Sequence, residues 1–142
     1  MTIGLTPVVQ SVTLGPLLPM TIARHSLGKR GEDYAAQYLI DHGYALRARN
    51  WRCPVGEIDL VTERNDRLIF VEVRTRRSDR LGTPEESITP AKRAKLIAAA
   101  QTYLAEHGQT DQDWRIDVVA IEIGSRGEVK RCTLIENAIE ES

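Results

Sequence analysis

The chain has 142 residues, 42% hydrophobic and 27% charged, which suits one globular domain with a modest core. No uninterrupted stretch of about 18 apolar residues occurs, so we expect a cytoplasmic protein without a membrane-spanning helix. The two cysteines, Cys53 and Cys132, lie far apart and the three histidines are scattered, which argues against a disulfide framework and against a zinc site.

Charge is distributed unevenly along the chain, although the net charge is only −1. Residues 24–95 hold 15 Lys/Arg and 11 Asp/Glu, a balance of +4, whereas residues 96–142 hold 4 and 9, a balance of −5. A basic half favours a polyanion as the partner, and the acidic third is expected to face away from that partner.

The first 23 residues differ from the rest of the chain. They carry no charged side chain, and three prolines interrupt any helical or strand period. We therefore expect residues 1–23 to form a flexible N-terminal tail and residues 24–142 to form a single domain. Translation that starts at Met20 is an alternative that the sequence leaves open.

Seven elements are predicted after the tail, in the order αβββαββ. The first helix follows Ser26, a suitable N-cap, and stops at Gly43. The second begins at Thr89-Pro90, an N-cap followed by a favourable first position, and stops at Gly108. The other segments are rich in β-branched residues or alternate apolar and polar ones. The predicted helices are Leu27–His42 and residues 89–108, and the predicted strands are Tyr44–Arg52, Glu57–Thr62, Arg67–Arg76, Trp114–Ile123 and Val129–Ile135.

Two acidic residues, Asp59 and Glu72, lie inside the most apolar of the predicted strands. A tight turn at Asn65-Asp66 pairs these strands and brings the two carboxylates together. Because side chains alternate across a strand, Asp59 is expected to point away from both Ile58 and Leu60. Like charges at close range repel, so such a pair needs a counter-charge.

A divalent cation supplies that counter-charge and gives the pair a chemical role. Mg²⁺ prefers oxygen ligands and commonly takes one or two carboxylates together with waters and substrate phosphate. A bound ion activates water and polarises a phosphoryl oxygen. Arg74 follows Glu72 by two residues on the same face, where it can bind the phosphate and stabilise developing charge.

The same pattern has a structural alternative, which is ion pairing between these acids and the arginines of the second strand on a solvated face. Two features favour the metal site instead. Unpaired charge is costly inside apolar strands. In addition, Glu32 lies on the inward face of the first helix and can converge on the same place. Taken alone, Glu32 has an equal alternative, which is to cap backbone amides or to pair with Lys29 or Arg30.

Further cations flank the predicted site. Arg76 and Arg77 form a basic edge that suits contacts with a nucleic-acid backbone, although a charge run is also typical of any solvated face. Lys92 borders the apolar stripe of the second helix and can reach a phosphate, and a surface lysine with a buried stem is the alternative. Asp117 shares a strand face with Arg115 and is expected to be structural.

Taken together, these motifs resemble those of the YraN family, small bacterial proteins of uncharacterised function, over about residues 27–139. That family is in turn similar to the PD-(D/E)xK nucleases, and within them to archaeal Holliday-junction resolvases. The stretches that carry the resemblance are GKRGE from Gly28, NWR from Asn50, GEIDLV from Gly56, FVEVRTR from Phe70, Lys92 with Ala99-Ala100, RIDVV from Arg115 and ENA from Glu136.

The resemblance implies an α/β fold with a restriction-endonuclease-like αβββαβ core, in which helices flank a mixed central sheet. It implies a Mg²⁺ or Mn²⁺ ion held by Asp59, Glu72 and the backbone carbonyl of Val73. It also implies that Glu32 is a catalytic carboxylate and that Arg74 stands where the superfamily has a lysine. Since arginine stays protonated in proteins, Arg74 cannot act as a general base.

Two functions are therefore expected. The first is a divalent-metal-dependent endonuclease acting on DNA, branched or damaged DNA among the substrates, and working as a homodimer if its assembly also resembles that of the resolvases. The second is a nucleic-acid-binding module that keeps the fold but has lost cleavage, which Arg74 favours. A scaffold in DNA processing is a third alternative, for which the sequence offers no positive feature.

Overall fold

The computed structural model describes residues 9–12, 27–79 and 82–140, which form six strands, two α-helices and one short 3₁₀ helix. The predicted order αβββαββ is confirmed, with bounds that differ from the predicted ones by a few residues. The elements are β1 Val9–Val12, α1 Leu27–Asp41, β2 Ala45–Cys53, β3 Gly56–Arg64, β4 Arg67–Arg77, the 3₁₀ helix η1 Pro84–Ser87, α2 Pro90–Glu106, β5 Trp114–Ile123 and β6 Val129–Ile139.

The ends of the two α-helices follow the local sequence. Thr89 caps α2, because its hydroxyl accepts a hydrogen bond from the Lys92 amide at 3.2 Å, and Pro90 occupies the first turn. Gly43, just beyond α1, has φ of +90°, a conformation that glycine adopts without strain. The predicted N-cap of α1, Ser26, lies outside the described residues.

The described strands join one mixed sheet in the order β1-β6-β5-β4-β3-β2. The β4–β5 pair is parallel, with α2 in the crossover between the two strands, and the other pairs are antiparallel. Helix α1 packs on one face of the sheet and α2 on the other. The predicted α/β fold, with helices flanking a mixed sheet, is therefore confirmed and is compatible with a restriction-endonuclease-like core.

Two hydrophobic cores lie on the two faces, and β4 divides its side chains between them. Ile69 and Val71 pack with α1, whereas Leu68 and Phe70 pack with α2. Because all four side chains are buried, the strand reads as a continuous apolar run even though its residues alternate between faces. Burial on both sides fixes the position of β4, the strand that carries Glu72.

The segment that we expected to be a tail contains a strand, which is a correction for four of its residues. Val9–Val12 pairs antiparallel with β6, from Val9↔Ile135 to Val12↔Cys132. Without β1, the outer edge of β6 would present unpaired backbone N–H and C=O groups, which any extended segment can satisfy. That pairing is long-range, so the local sequence gives no sign of it. The rest of residues 1–23 lies outside the described residues.

The turn between β3 and β4 sets the register of the two strands that carry the acids. Asn65 and Asp66 both have positive φ, 52° and 61°, as a two-residue hairpin turn requires, and the predicted turn is therefore confirmed. The ladder that starts at the turn with Arg64↔Arg67 continues to Leu60↔Val71. This register places Asp59 and Glu72 immediately after the last pair.

Two glycines allow the helices to approach the sheet closely beside these acids. A Cβ at Gly31 of α1 would overlap the side chain of Thr75 in β4. A Cβ at Gly56 of β3 would lie 3.3 Å from the backbone oxygen of Lys95 in α2, closer than such contacts normally are. Both glycines therefore bring charged helical residues near the polar end of the sheet.

Candidate metal centre

The candidate centre lies where β3 and β4 separate. Beyond Leu60↔Val71 the two strands no longer pair with each other. Strand β3 continues along β2, and β4 continues along β5. We call this separation the fork and define it by Asp59 on β3 and Glu72 on β4. The fork leaves space between two strands that are otherwise neighbours, and both acids lie at its base.

At the fork, the expected alternation of side chains along β3 is wrong. Ile58 packs in the core next to α2, whereas Leu60 packs in the core next to α1, although a regular strand would place them on one face. Opposite this point, Asn50 of β2 has φ of +51°, which is unusual for a residue other than glycine. The strand therefore twists at Asp59, and its side chain enters the fork.

The two carboxyl groups of the fork contact each other. Burial and the negative charge of Glu72 raise the pKa of Asp59 to about 8, and a hydrogen bond between the two carboxyl groups adds to the shift. In the opposite direction, the Val73 amide donates a hydrogen bond of 2.8 Å to Asp59 Oδ2. Glu72 is only 5% exposed. The fork is therefore a buried acid pair in which the charge of Glu72 makes ionisation of Asp59 costly.

Glu32 lies close to this pair but has its own partners. Its Oε1 accepts hydrogen bonds of 2.9 Å from both Arg49 Nη2 and Asn50 Nδ2. Neither of the neighbours considered from the sequence, Lys29 and Arg30, is the partner. Lys29 pairs with an acid one turn along α1, and Arg30 donates to a backbone oxygen near β6. The charge of Glu32 adds slightly to the raised pKa of Asp59.

Within the described residues, no group of three or more His, Cys, Asp or Glu side chains is placed to hold one ion. Glu32 therefore stands beside the acid pair and does not complete a three-carboxylate cluster. The carboxylate ligands that the fork itself can offer are Asp59 and Glu72. Two carboxylates with open positions for water form a set that suits Mg²⁺.

Arg74 reaches the pair from the same strand. Its Nη1 donates to Glu72 Oε2 at 3.2 Å, which is the ion pair considered as the structural alternative. Its Nε and Nη2 donate to Ser87 Oγ at 2.9 and 2.7 Å. The sequence did not predict the contact between Ser87 and Arg74, because thirteen residues separate the two and no periodic pattern links them.

The fork opens into a cleft of about 370 Å³ between the sheet and α2. Three acids and three cations line it, so the cleft contains both negatively and positively charged side chains. The predicted cation Lys92 lines the cleft, and so do Lys95 and Glu57, which the sequence had not singled out. Lys95 could have been found, because it follows Lys92 by three residues and so shares its helix face. The lining comprises Gly56, Glu57, Asp59, Glu72, Val73, Arg74, Lys92, Lys95 and Leu96.

The other predicted contacts to nucleic acid lie further along β4. Arg76 donates to the Thr83 backbone oxygen at 3.0 Å, and Arg77 is exposed. Both line a second, shallower cavity with Leu27 and Thr75, not the fork cleft. The structure thus brings Asp59, Glu72, Val73, Arg74 and Lys92 together and places Arg76 and Arg77 outside the cleft.

The fold and the fork define an α/β protein with a two-carboxylate centre at the separation of two strands. The model of Uncharacterised protein family UPF0102 matches residues 31–121, and the chain belongs to this family, which is the YraN family predicted above. A UPF0102 protein of Roseiflexus castenholzii is 48% identical over 124 residues, covering 87% of this chain and 100% of the relative. A UPF0102 protein of Moorella thermoacetica is 41% identical, covering 84% of this chain and 99% of the relative.

Among the described residues, neither α-helix has the length and apolar character that crossing a membrane requires.

Proposed function

We propose that this protein is a Mg²⁺- or Mn²⁺-dependent endonuclease that hydrolyses phosphodiester bonds in DNA. One observation carries the proposal. Asp59 and Glu72 form a buried acid pair at the base of an open cleft, and the charge of Glu72 opposes ionisation of Asp59. A protein that needed these residues only for stability would gain by replacing one of them, because two adjacent buried acids are costly to ionise even where Arg74 pairs with Glu72. A divalent cation removes the repulsion.

The donors at the fork fit such an ion. The Val73 amide fixes the orientation of Asp59 through Oδ2. An ion that replaces the proton shared with Glu72 would bind through Oδ1. Oxygen donors without nitrogen or sulfur are the set that Mg²⁺ and Mn²⁺ prefer. The backbone carbonyl of Val73 is the third ligand in this proposal. When bound, the ion would supply an activated water and charge stabilisation at the scissile phosphate.

The cations of the cleft would bind the substrate. Arg74 is already oriented beside Glu72 and presents a planar donor group of the kind that binds phosphate. Lys92 and Lys95 lie on the opposite wall, on α2, and within the described residues neither has an ion-pair partner. Arg76 and Arg77 would contact the DNA backbone beyond the cleft. Glu32, which is bound by Arg49, would lie on the α1 side of the ion without contacting it directly.

A nucleic-acid-binding module without cleavage is the second candidate. Arg74 favours it, because a guanidinium stays protonated and cannot take a proton from water. The fork opposes it, because two buried acids would repel DNA unless a cation occupies the site. A homodimer, a preference for branched or damaged DNA and a cytoplasmic location stay predictions. Among the described residues, the large hydrophobic side chains that are exposed are Ile40 and Val55. A dimer interface formed by this described surface would therefore be mainly polar.

Calorimetric titration of Mn²⁺ and Mg²⁺, together with cleavage assays on plasmid and four-way-junction DNA, tests the proposal. The fork variant is Asp59→Asn/Glu72→Gln, which keeps the shape of both side chains. The matched control is Glu106→Gln/Asp111→Asn, which makes the same change of charge at exposed positions.

We expect wild type and control to bind metal and to cleave, and the fork variant to do neither. Metal binding without cleavage would favour the binding module. Equal behaviour of all three proteins would refute a metal site at the fork.

A further inference from the structure

Ser87, the last residue of η1, makes contacts that define the position of Arg74. Its Oγ accepts two hydrogen bonds from the guanidinium, 2.9 Å from Nε and 2.7 Å from Nη2. Its own hydroxyl proton is donated to the Pro84 backbone oxygen at 2.6 Å. A hydroxyl has one donor and two acceptor positions, so the hydrogen-bonding capacity of Ser87 is used completely. The side chain cannot rotate without losing several of these bonds.

These contacts determine how Arg74 meets Glu72. With Nε and Nη2 bonded to Ser87, a single group, Nη1, reaches Glu72 Oε2, at 3.2 Å. An arginine free of such a restraint normally binds a carboxylate through two parallel hydrogen bonds. That bidentate pair would neutralise Glu72 and occupy both of its oxygens. The Ser87 hydroxyl therefore holds the guanidinium in a position that leaves part of the carboxylate uncovered.

The short helix that carries Ser87 is itself fixed at its start. Arg76 donates to the Thr83 backbone oxygen at 3.0 Å, and the Thr83 hydroxyl donates to Glu86 Oε1 at 2.9 Å. Two arginines of β4 thus bind the two ends of η1, Arg74 at its end and Arg76 at its start. A support anchored at both ends can hold a functional side chain within the tolerance that a site requires.

We propose that Ser87 is a positioning residue, which keeps Arg74 from closing on Glu72 and so keeps Glu72 available to a divalent cation. This inference rests on the proposed function, because it assigns Ser87 a role at the same site. Arg74 then remains beside the ion and directed at the place of the substrate phosphate. The ligand class is a hard divalent cation, for which Mn²⁺ is the probe.

The test is a double-mutant cycle on Mn²⁺ affinity, measured by calorimetry on the full chain. Ser87 is exposed, so Ser87→Ala should fold normally. It should weaken Mn²⁺ binding about tenfold, as loss of a group that orients a ligand typically does. Ser87→Thr, which retains the hydroxyl, should restore the affinity. In the background of Arg74→Gln, Ser87→Ala should have no effect, because no guanidinium is left to close on Glu72.

Two results would overturn the role of Ser87. One is unchanged affinity in Ser87→Ala, and the other is the same loss in the presence and absence of Arg74.

A second measurement separates this inference from the proposed function. In the metal-free protein, the Nε–H proton of Arg74 should exchange slowly with water by nuclear magnetic resonance and should exchange faster in Ser87→Ala. If wild type binds no Mn²⁺, the proposed function fails. The role of Ser87 in metal binding then fails as well, even if slow exchange shows that the hydrogen bond between Arg74 and Ser87 forms. If wild type binds Mn²⁺ and exchange is equally fast in both proteins, Ser87 does not position Arg74, and only the further inference fails.

Discussion

Two acidic sites of the same sheet have opposite surroundings. Asp117 on β5 is completely buried, and it accepts hydrogen bonds of 2.9 and 3.1 Å from Arg115 and one of 2.8 Å from the Asn137 amide. Asp59 on β3 accepts one amide hydrogen bond and otherwise faces a second acid. Burial raises the pKa of both groups. For Asp117 the Arg115 charge opposes that shift, whereas for Asp59 the Glu72 charge increases it.

The two sites differ in whether the chain itself supplies hydrogen-bond donors to the buried acid. Asp117 has donors from its own chain for both oxygens, so it stabilises the folded state without any further group, as predicted for a structural residue. Asp59 faces the acid Glu72, whereas Asp117 faces the guanidinium of Arg115. A buried acid pair of this kind is costly unless something outside the chain completes it.

Asp117→Ala should cause the largest loss of stability. It removes a buried partner and leaves the Arg115 guanidinium and the Asn137 amide without their acceptor, which costs about 3 kcal/mol or more. Chemical denaturation followed by circular dichroism measures the change. A loss below about 1 kcal/mol would mean that Asp117 is not the structural counterpart of the fork, by the usual cost of a broken buried pair.

Asp59→Asn should act in the opposite direction on stability while abolishing metal binding. Asparagine retains an oxygen for the Val73 amide and can donate its NH₂ group to Glu72 at any pH, so the variant avoids the repulsion that follows ionisation of Asp59. In the presence of a chelator we expect a gain on the order of 1 kcal/mol, or a rise in melting temperature of about 4 °C. Thermal denaturation and Mn²⁺ titration of the same sample check both effects. A variant that is less stable and still binds metal would contradict the comparison.

The stability difference between Asp59→Asn and wild type should depend on pH. Asp59 has a pKa of about 8 in the folded state, against an ordinary value of 3.8 in the unfolded chain. Between these values the folded protein retains a proton that the unfolded chain releases, so the contribution of Asp59 to stability falls as pH rises. In metal-free denaturation, the advantage of the variant should be small at about pH 4 and largest near pH 8. A difference that does not change over this range would exclude a raised pKa for Asp59.

Lys95→Gln should have the smallest effect, confined to DNA binding. Each lost phosphate contact lowers the slope of log affinity against log salt by about 1. Fluorescence anisotropy with a DNA duplex at several salt concentrations measures that slope. Lys130→Gln on β6, a strand that β5 separates from β4, is the matched control, because Lys130 does not line the cleft, and it should leave the slope unchanged. An equal change in both variants would mean that Lys95 has no specific role in the cleft.

Local sequence was sufficient for much of the fold and for the centre of the site. The Asn65-Asp66 turn and the apolar runs on either side of it set one register, and that register alone brings Asp59 near Glu72. The N-cap at Thr89 and the period of α2 placed Lys92. In each case the deciding interactions join residues close in sequence or strands linked by a tight turn.

Long-range and irregular features could not be predicted. The irregularity at Asp59 lies opposite Asn50, which has a left-handed backbone conformation on the neighbouring strand. Glu32 pairs with Arg49 and Asn50, which lie on that same strand. The hydroxyl that binds Arg74 belongs to Ser87, at the end of η1, a segment whose sequence shows no helical or strand periodicity. Such contacts are fixed by the assembled tertiary structure, and strand or helix patterns carry no record of them.

The most direct measurement of the central claim is a crystal structure of the wild-type protein grown with Mn²⁺, with anomalous diffraction used to locate the ion. We expect one peak at the fork, about 2.1 Å from a carboxylate oxygen of each of Asp59 and Glu72, with Arg74 still bonded to Ser87. A fork without a peak at saturating Mn²⁺, with the two carboxyl groups still bonded to each other, would contradict that claim.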